Sequence, residues 1–207
     1  MLPSTSPSRG VAVAGLGVAS SILIIASLLF GSSPASAKSS DLSAVAIGDS
    51  VMLGARWELQ KRGVNKVDAK VSRQASTGPD LVRKLAANPD IKYVVVHLGT
   101  NGTYSVDTCK EIVKAAGQDR TVFLITLKVP RPWETLNNRL MSKCASAFDA
   151  QRVRLVNWNE ASQATSGLLY SDGMHLTPRG AKKFARMIVT AIKQAITLQG
   201  PSMVGHL

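Results

Sequence analysis

The chain has 207 residues, of which 45% are hydrophobic and 18% are charged. This size and balance fit one compact domain with a hydrophobic leader and argue against two domains. The formal net charge of +12 favours contact with anionic envelope polymers or lipid headgroups. The alternative is a basic surface that only aids solubility, because no run of Lys and Arg has the length of a basic tail.

The amino terminus has the composition of an export signal. Residues 11–30 are apolar or small and uncharged, a single charge at Arg9 precedes them, and an Ala-X-Ala site ends at Ala37. Residues 1–37 are therefore predicted as a cleaved signal peptide or, since the apolar stretch can span a bilayer, as an N-terminal membrane anchor. Both alternatives put the domain outside the cytoplasm, secreted or anchored at the envelope, where nucleic acid is not an expected partner.

Strands and helices are predicted to alternate through a single domain at residues 38–200, with a frayed tail at 201–207. This alternation predicts an α/β fold, a three-layer αβα sandwich whose functional residues lie at the carboxyl ends of parallel strands. The predicted strands are 43–47, 67–71, 92–97, 121–126 and 153–157, and the predicted helices are near 52–62, 79–87, 106–117, 134–149 and 178–197.

The first predicted strand ends in Gly48-Asp49-Ser50, and this turn indicates a serine nucleophile. A strand-to-helix corner can expose the Ser50 hydroxyl, although a serine there can also merely cap the helix. The hydroxyl needs an imidazole as its base, and the imidazole needs a carboxylate that fixes its tautomer. His175 and Asp172, in the loop before the last predicted helix, supply both groups, so Asp49 is predicted to hold the turn.

A second polar turn, Gly99-Thr100-Asn101-Gly102, follows the predicted strand 92–97. The Asn101 amide can donate to a reacting carbonyl oxygen, although Asn next to Gly is also common in ordinary turns. His97 lies within the strand and is interpreted as a packing histidine beside the site, with a supporting role as the alternative.

These blocks, in this order, resemble those of the SGNH (GDSL-type) hydrolase superfamily, and the resemblance spans most of residues 41–195. It implies a flavodoxin-like, parallel five-stranded sheet. It also implies Ser50 as nucleophile, His175 as general base and Asp172 as the carboxylate, with the Ser50 N–H and Asn101 among the oxyanion donors.

Three longer stretches are similar to the extracytoplasmic SGNH domains attached to membrane acyltransferases that O-acetylate peptidoglycan. They are residues 48–55, 67–74 and 129–134. The second block of this superfamily usually has Gly as an oxyanion donor, and the matching position is Ser72. A backbone N–H donates there, so serine can keep the role, and Gly78 is the alternative donor.

The resemblance implies an exported serine-dependent O-acyl (acetyl) transferase or esterase that acts on cell-envelope glycan through an acyl-enzyme, without a cofactor. The related transferases carry a multi-span membrane domain, so a separate membrane acyl-donor protein is an expected partner. The alternatives are a general exported carboxylesterase or lipase acting on small acyl esters, and a catalytically silent basic envelope-binding module.

Val129-Pro130-Arg131-Pro132-Trp133 follows the fourth predicted strand and predicts a stiff loop at the same rim. Trp133 can stack on a sugar and Arg131 can pair with an acidic group, which predicts a substrate-binding role for both. The alternative is a loop whose tryptophan covers the core.

Cys109 and Cys144 lie in the predicted helices on either side of the fourth strand. In an exported protein we expect a disulfide between them, provided that both helices pack on the same face of the sheet; two buried free thiols are the alternative. No metal site is predicted, because the cysteines and the three histidines, His97, His175 and His206, do not have zinc-like spacing.

Overall fold

A computed structural model of the chain describes residues 41–199. The predicted leader at 1–37 and the predicted tail at 201–207 lie outside these residues. Within the described part, no helix is both long and apolar enough to cross a membrane.

The described residues form a five-stranded sheet and seven α-helices, and they contain every predicted strand and helix. The predicted helix 52–62 is divided at Ala55 into two short helices, and the predicted helix 134–149 ends at Ala145. The strands are β1 (Ala44–Gly48), β2 (Lys66–Ala69), β3 (Tyr93–His97), β4 (Thr121–Ile125) and β5 (Val153–Val156). The helices are α1 (Ser50–Gly54), α2 (Arg56–Lys61), α3 (Gly78–Ala86), α4 (Val106–Ala115), α5 (Glu134–Ala145), α6 (Trp158–Gln163) and α7 (Pro178–Leu198).

All five strands are parallel and lie in the order β2-β1-β3-β4-β5. This is the flavodoxin-like order, so the predicted fold class is confirmed. The direction in which successive strands are added to the sheet reverses between β1 and β3, and the last residues of these strands, Gly48 and His97, are register partners. The loops that follow β1 and β3 therefore meet at one place on the carboxyl edge of the sheet.

Two hydrophobic layers cover the sheet, because successive residues of each buried strand point to opposite faces. Along β3, Val95 packs in one layer while its neighbours Val94 and Val96 pack in the other. Helices α1, α2, α6 and α7 contribute to the first layer, and α3, α4 and α5 contribute to the second. The protein is thus the predicted three-layer αβα sandwich.

Helix α6 was not predicted from the sequence. Asn157 caps its amino end by accepting from the N–H of Glu160 at 3.2 Å, and the Glu160 carboxylate accepts from the Asn157 amide at 2.8 Å. An Asn followed three residues later by Glu is a recognisable helix-start pattern, so the signal was present in the sequence.

Cys109 in α4 and Cys144 in α5 form the predicted disulfide. Both residues are fully buried, and both helices pack on the same face of the sheet. The bond joins the helix that follows the Asn101 turn to the helix that follows the Trp133 loop.

Replacement of both Cys109 and Cys144 by alanine should lower the free energy of unfolding by about 3 to 4 kcal/mol, because the bond closes a long loop in the unfolded chain. The sequence separation of the two cysteines is 35 residues. Denaturant titration of the variant measures this loss. Reduction of the wild-type protein should cause a similar loss, and an unchanged midpoint on reduction would contradict the prediction.

Candidate active site

Ser50 stands at the corner between β1 and α1. The corner is tight, because a Cβ on Gly48 would lie 2.1 Å from the Cβ of Met52. Only glycine therefore lets the end of β1 approach α1 this closely. Asp49 caps α1 by accepting from the N–H of Val51, and Ser50 is the half-buried first residue of the helix.

The structure brings together the three side chains predicted as a triad. The Nε2 atom of His175 lies 3.0 Å from the hydroxyl oxygen of Ser50, although 125 residues separate them in the chain. The Nδ1 atom of the same ring lies 2.7 Å from Oδ2 of Asp172. With Nδ1 as donor to Asp172, the Nε2 atom is free to accept the serine proton.

A tight turn holds Asp172 and His175 in this geometry. One carboxylate oxygen of Asp172 accepts from the backbone N–H groups of Met174 and His175, both at 2.9 Å, while the other faces the imidazole. The hydrogen bond from His175, with these two N–H groups, lowers the pKa of Asp172 to about 2. Gly173 occupies the left-handed region at φ +68°, which favours glycine in the turn.

Beneath the triad, the side chains of Asp49 and His97 are buried side by side. Nδ1 of His97 lies 3.4 Å from Oδ1 of Asp49, and the ring stacks edge-on against Phe184 of α7. The other carboxylate oxygen of Asp49 accepts from the N–H of Thr100 at 3.4 Å. Asp49 therefore ties the Ser50 corner to the turn that carries Asn101, and His97 is buried beside the site as predicted.

Burial by itself would raise the pKa of the Asp49 carboxyl. The adjacent imidazole of His97 opposes this effect, as do the hydrogen bonds from Thr100 and from the N–H of Val51. The pKa of Asp49 consequently lies below its ordinary value. The surroundings of Asp49 therefore stabilise its ionised form.

The predicted oxyanion donors Ser72 and Asn101 lie on two adjacent loops. The Asn101 side-chain amide donates to the carbonyl oxygen of Arg73 at 3.3 Å, which brings the two loops into contact. Ser72 is exposed and has φ +58°, the left-handed region. Glycine adopts this conformation more easily than serine, which explains physically why glycine is usual at the matching position.

Gly78, the alternative donor, is used elsewhere in the fold. Its N–H already donates to the carbonyl oxygen of Ala75. A Cβ on Gly78 would lie 2.7 Å from Ile112 and 3.1 Å from Leu98, so the residue serves close packing between α3, α4 and the end of β3.

The Arg131–Trp133 loop spans the site from one turn to the other. Trp133 is half-buried and donates its indole N–H to the carbonyl oxygen of Thr100 at 3.4 Å, while Pro130 lies near Gly173. The tryptophan packs against the hydrophobic layer of α3, α4 and α5, so it does cover part of the core. Arg131 is exposed.

Sequence reasoning missed the side chains that brace these loops. The Glu134 carboxylate accepts from Lys128 at 3.1 Å and from Asn159 at 3.0 Å, and so closes the base of the Trp133 loop. Arg73 similarly anchors the Ser72 loop. Both residues, Arg73 and Glu134, lie in the stretches 67–74 and 129–134 that carry the resemblance, but no role was predicted for either. Their partners Gly48 and Asn159 are distant in the chain, so local sequence does not indicate these contacts. Among residues 41–199, no group of three metal-ligating side chains is close enough to hold an ion.

Substitution of Ser72 by glycine should keep or raise stability, by up to about 1 kcal/mol, because glycine tolerates a positive φ. Valine at the same position should lower stability by about 1 to 2 kcal/mol, since a β-branched residue is strongly disfavoured there. Denaturant titrations of the two variants measure both effects. The glycine variant keeps the backbone N–H at position 72, so it should turn over an ester substrate at a rate close to that of the wild type. A large loss of turnover would instead indicate that the Ser72 hydroxyl is the oxyanion donor.

The Asp49→Asn variant should show a weaker dependence of stability on pH in acid. The folded-state pKa of Asp49 is below the unfolded value of about 3.8, so the ionised carboxylate stabilises the fold above that pH. This contribution is lost as the pH falls through the lower, folded-state pKa. Unfolding titrations between neutral pH and pH 3 compare variant and wild type, and parallel curves for the two would contradict the prediction.

No protein-family model matches the chain. YrhL of Bacillus subtilis is 34% identical over 151 residues, which are 72% of this chain and 23% of YrhL. The O-acetyltransferase OatA of Staphylococcus aureus is 32% identical over 154 residues, 73% of this chain and 25% of OatA. The peptidoglycan O-acetyltransferase OatA of Listeria monocytogenes is 31% identical over 154 residues, 72% of this chain and 24% of that protein. The chain thus spans about a quarter of the length of these curated relatives.

Solved structures have the same fold. The C-terminal catalytic domain of Streptococcus pneumoniae peptidoglycan O-acetyltransferase A, with a methylsulfonyl adduct, superposes with a TM-score of 0.65 at 23% identity, over 74% of this chain and 94% of that domain. A GDSL-like lipase from Bacteroides thetaiotaomicron gives a TM-score of 0.58 at 20% identity, over 73% and 88% of the two chains.

The similarity in sequence covers 72% to 73% of the chain, and the similarity in fold covers 73% to 74% of it. The chain therefore belongs to the same family as YrhL and the O-acetyltransferase OatA, and it has the fold of SGNH (GDSL-type) hydrolase structures.

Proposed function

We propose that the chain is an exported serine-dependent O-acetyltransferase of cell-envelope glycan, with peptidoglycan as its substrate class. The observation that carries the proposal is the continuous contact from Asp172 through His175 to Ser50, at 2.7 and 3.0 Å, on the carboxyl edge of the sheet. The sequence similarity to two OatA proteins supports acetyl transfer as the reaction.

The reaction proceeds through an acyl-enzyme. The Ser50 oxygen attacks the carbonyl carbon of an acyl ester while Nε2 of His175 takes its proton, and the donor alcohol leaves with that proton. A sugar hydroxyl then attacks the acetyl-serine, passing its proton to His175, which returns one to the Ser50 oxygen as the acetylated sugar departs. Asp172 stabilises the imidazolium that forms in each half of the reaction.

Negative charge on the carbonyl oxygen needs donors that are in place before the reaction. The N–H of Ser50, the N–H of Ser72 and the Asn101 amide are proposed to supply them. Each such donor contributes roughly 3 to 4 kcal/mol to the stabilisation of the transition state in comparable sites. Because the donors act on charge that appears only in the transition state, their loss lowers kcat more than it raises KM.

The Trp133 loop is proposed to position the acceptor. Pro130 lies near Gly173 in the His175 turn, and Trp133 is anchored on the Asn101 turn, so the loop adjoins both sides of the reacting carbonyl. An indole offers a flat apolar face on which a sugar ring can stack, and the exposed Arg131 can pair with an acidic group of the glycan.

The domain is proposed to act outside the cytoplasm, released by cleavage after Ala37 or held by residues 1–37 as an anchor. Peptidoglycan lies outside the cytoplasmic membrane, so the substrate class itself requires export. A separate membrane protein is proposed to deliver the acetyl group, as the resemblance to extracytoplasmic domains attached to membrane acyltransferases implies.

Hydrolysis is the second candidate reaction of the same site. The side chains of His175 and Asp172 are 40% and 46% exposed, so water can reach the imidazole that would activate the acceptor. Water in place of the sugar hydroxyl would make the protein an O-acetyl esterase of the same glycan.

The deciding experiment incubates the purified full-length chain with 4-nitrophenyl acetate and a chito-oligosaccharide. Acetate and acetylated sugar are measured separately by mass spectrometry. We expect Ser50-dependent acetylated sugar from a transferase and acetate alone from an esterase.

The Ser50→Ala variant should lose both products. The Asp172→Asn variant should lower kcat by roughly 10⁴-fold, because the imidazole would adopt the wrong tautomer. Equal turnover by Ser50→Ala would overturn the proposal.

The same assay tests the acceptor loop. Trp133→Ala and Arg131→Ala should reduce the yield of acetylated sugar while release of 4-nitrophenol in the absence of sugar stays near the wild-type rate. Arg139→Ala, an exposed arginine on α5, serves as the matched surface control. An equal fall in both activities for Trp133→Ala would indicate damage to the Asn101 turn instead of lost acceptor binding.

A further inference from the structure

We infer that Arg73 is a positioning residue of the oxyanion site, a residue whose contacts reach all three proposed donors. The inference rests on the proposed function. It concerns a residue that does not touch the reacting atoms and that acts through Gly48, Ser72 and Asn101.

The guanidinium of Arg73 is inserted beneath the Ser50 corner and is only 10% exposed. Its Nη1 atom donates to the carbonyl oxygen of Gly48 at 3.2 Å and to the carbonyl oxygen of Asp68. Its Nη2 atom donates to the Asp68 carboxylate at 2.7 Å. The side chain therefore joins the last residue of β1, two positions before Ser50, to the strand β2 beside it.

The backbone of Arg73 supports the second donor. Its carbonyl oxygen accepts from Nδ2 of Asn101 at 3.3 Å. A side-chain amide carries two N–H hydrogens on the same planar nitrogen, so a bond made by one hydrogen fixes the direction of the other. Arg73 thereby orients the Asn101 hydrogen that remains for the oxyanion.

The third donor is the N–H of Ser72, the residue immediately before Arg73. Ser72 lies in the left-handed region at φ +58°, a conformation that surrounding contacts must maintain in a non-glycine residue. Two backbone hydrogen bonds also hold this loop, at 3.2 Å from Lys70 N–H to Gly48 and 3.4 Å from Arg73 N–H to Lys70. The guanidinium adds a charge-assisted bond of 2.7 Å to Asp68 and thereby anchors the loop further.

The geometry requires arginine and not merely a positive charge. The planar fork reaches two carbonyl oxygens and a carboxylate at once, whereas a lysine ammonium is a single point of donation on a flexible stem. Arg73→Lys should therefore behave more like Arg73→Ala than like the wild type.

A stabilising ion pair with Asp68 is the competing explanation, and it makes different predictions. An arginine that only stabilises the fold would, when removed, lower the melting temperature and leave kcat of the folded protein unchanged. An arginine that positions the donors affects kcat, with little change in KM. Because the triad geometry is left intact, the acidic limb of the kcat–pH profile should not move.

The test uses the full-length chain with 4-nitrophenyl acetate, at a temperature where each variant is fully folded by circular dichroism. We expect Arg73→Ala to lower kcat about 100-fold, as a small displacement of reacting groups does, with KM within a few-fold of wild type. Guanidinium chloride, at concentrations well below those that unfold the protein, should restore part of kcat in Arg73→Ala by filling the vacated site. The same salt should not raise the activity of Ser50→Ala.

Arg62→Ala is the matched control, because Arg62 is also a partly buried, ion-paired arginine, 27% exposed and bonded to Glu58, but lies at the end of α2. It should keep kcat and show no response to guanidinium. An Arg73→Ala protein with wild-type kcat, or with a raised KM alone, would overturn the inference. The proposed function would still stand in that case if turnover by the wild type depends on Ser50. Loss of Ser50 dependence in the wild type would instead refute the proposed function.

Discussion

The arrangement of the whole site depends on one buried carboxylate, that of Asp49. It caps the helix that begins at Ser50, and it accepts from the backbone of Thr100 in the turn that carries Asn101. A buried charge is costly unless hydrogen bonds and a nearby positive or polar group compensate it, and His97 with two N–H donors provides this compensation. Few arrangements of the chain supply all the hydrogen bonds that this carboxylate needs. The Ser50 corner and the Asn101 turn, which both contact it, are therefore held in one relative position.

Around this centre, buried side chains support the loops of the site in addition to the contacts that the loops make with one another. Arg73 anchors the loop after β2 to the end of β1, and Glu134 closes the base of the loop after β4 through Lys128 and Asn159. The reacting side chains stay half-buried to exposed, so substrate can approach them, while their supports are withdrawn from solvent. Because the supporting side chains are shielded from solvent, the hydrogen-bond donors of the site can stay in fixed positions although the site itself is open. Electrostatic catalysis needs donors that are fixed in this way.

The two proposed reactions, transfer and hydrolysis, differ only in which hydroxyl would reach the acyl-serine, and an open site is chemically compatible with both. The half-exposed His175 admits water, and the loop with Arg131 and Trp133 offers surfaces for a sugar. Under the proposed function, the choice of acceptor depends on whether glycan occupies the loop: a bound glycan would exclude water from the imidazole, and an empty loop would not.

The amino-acid sequence by itself determined the alternation of strands and helices, the turns that carry Ser50, Asn101 and His175, and the family they resemble, because strand periodicity and turn chemistry are local. Helix α6 was missed although its Asn157 and Glu160 signal is local too. Only the tertiary structure decided that His175 meets Ser50 across 125 residues, that Gly78 serves packing, and that the two cysteines share a face of the sheet. These outcomes depend on strand order and on which face each helix covers, and no local pattern in the sequence encodes either.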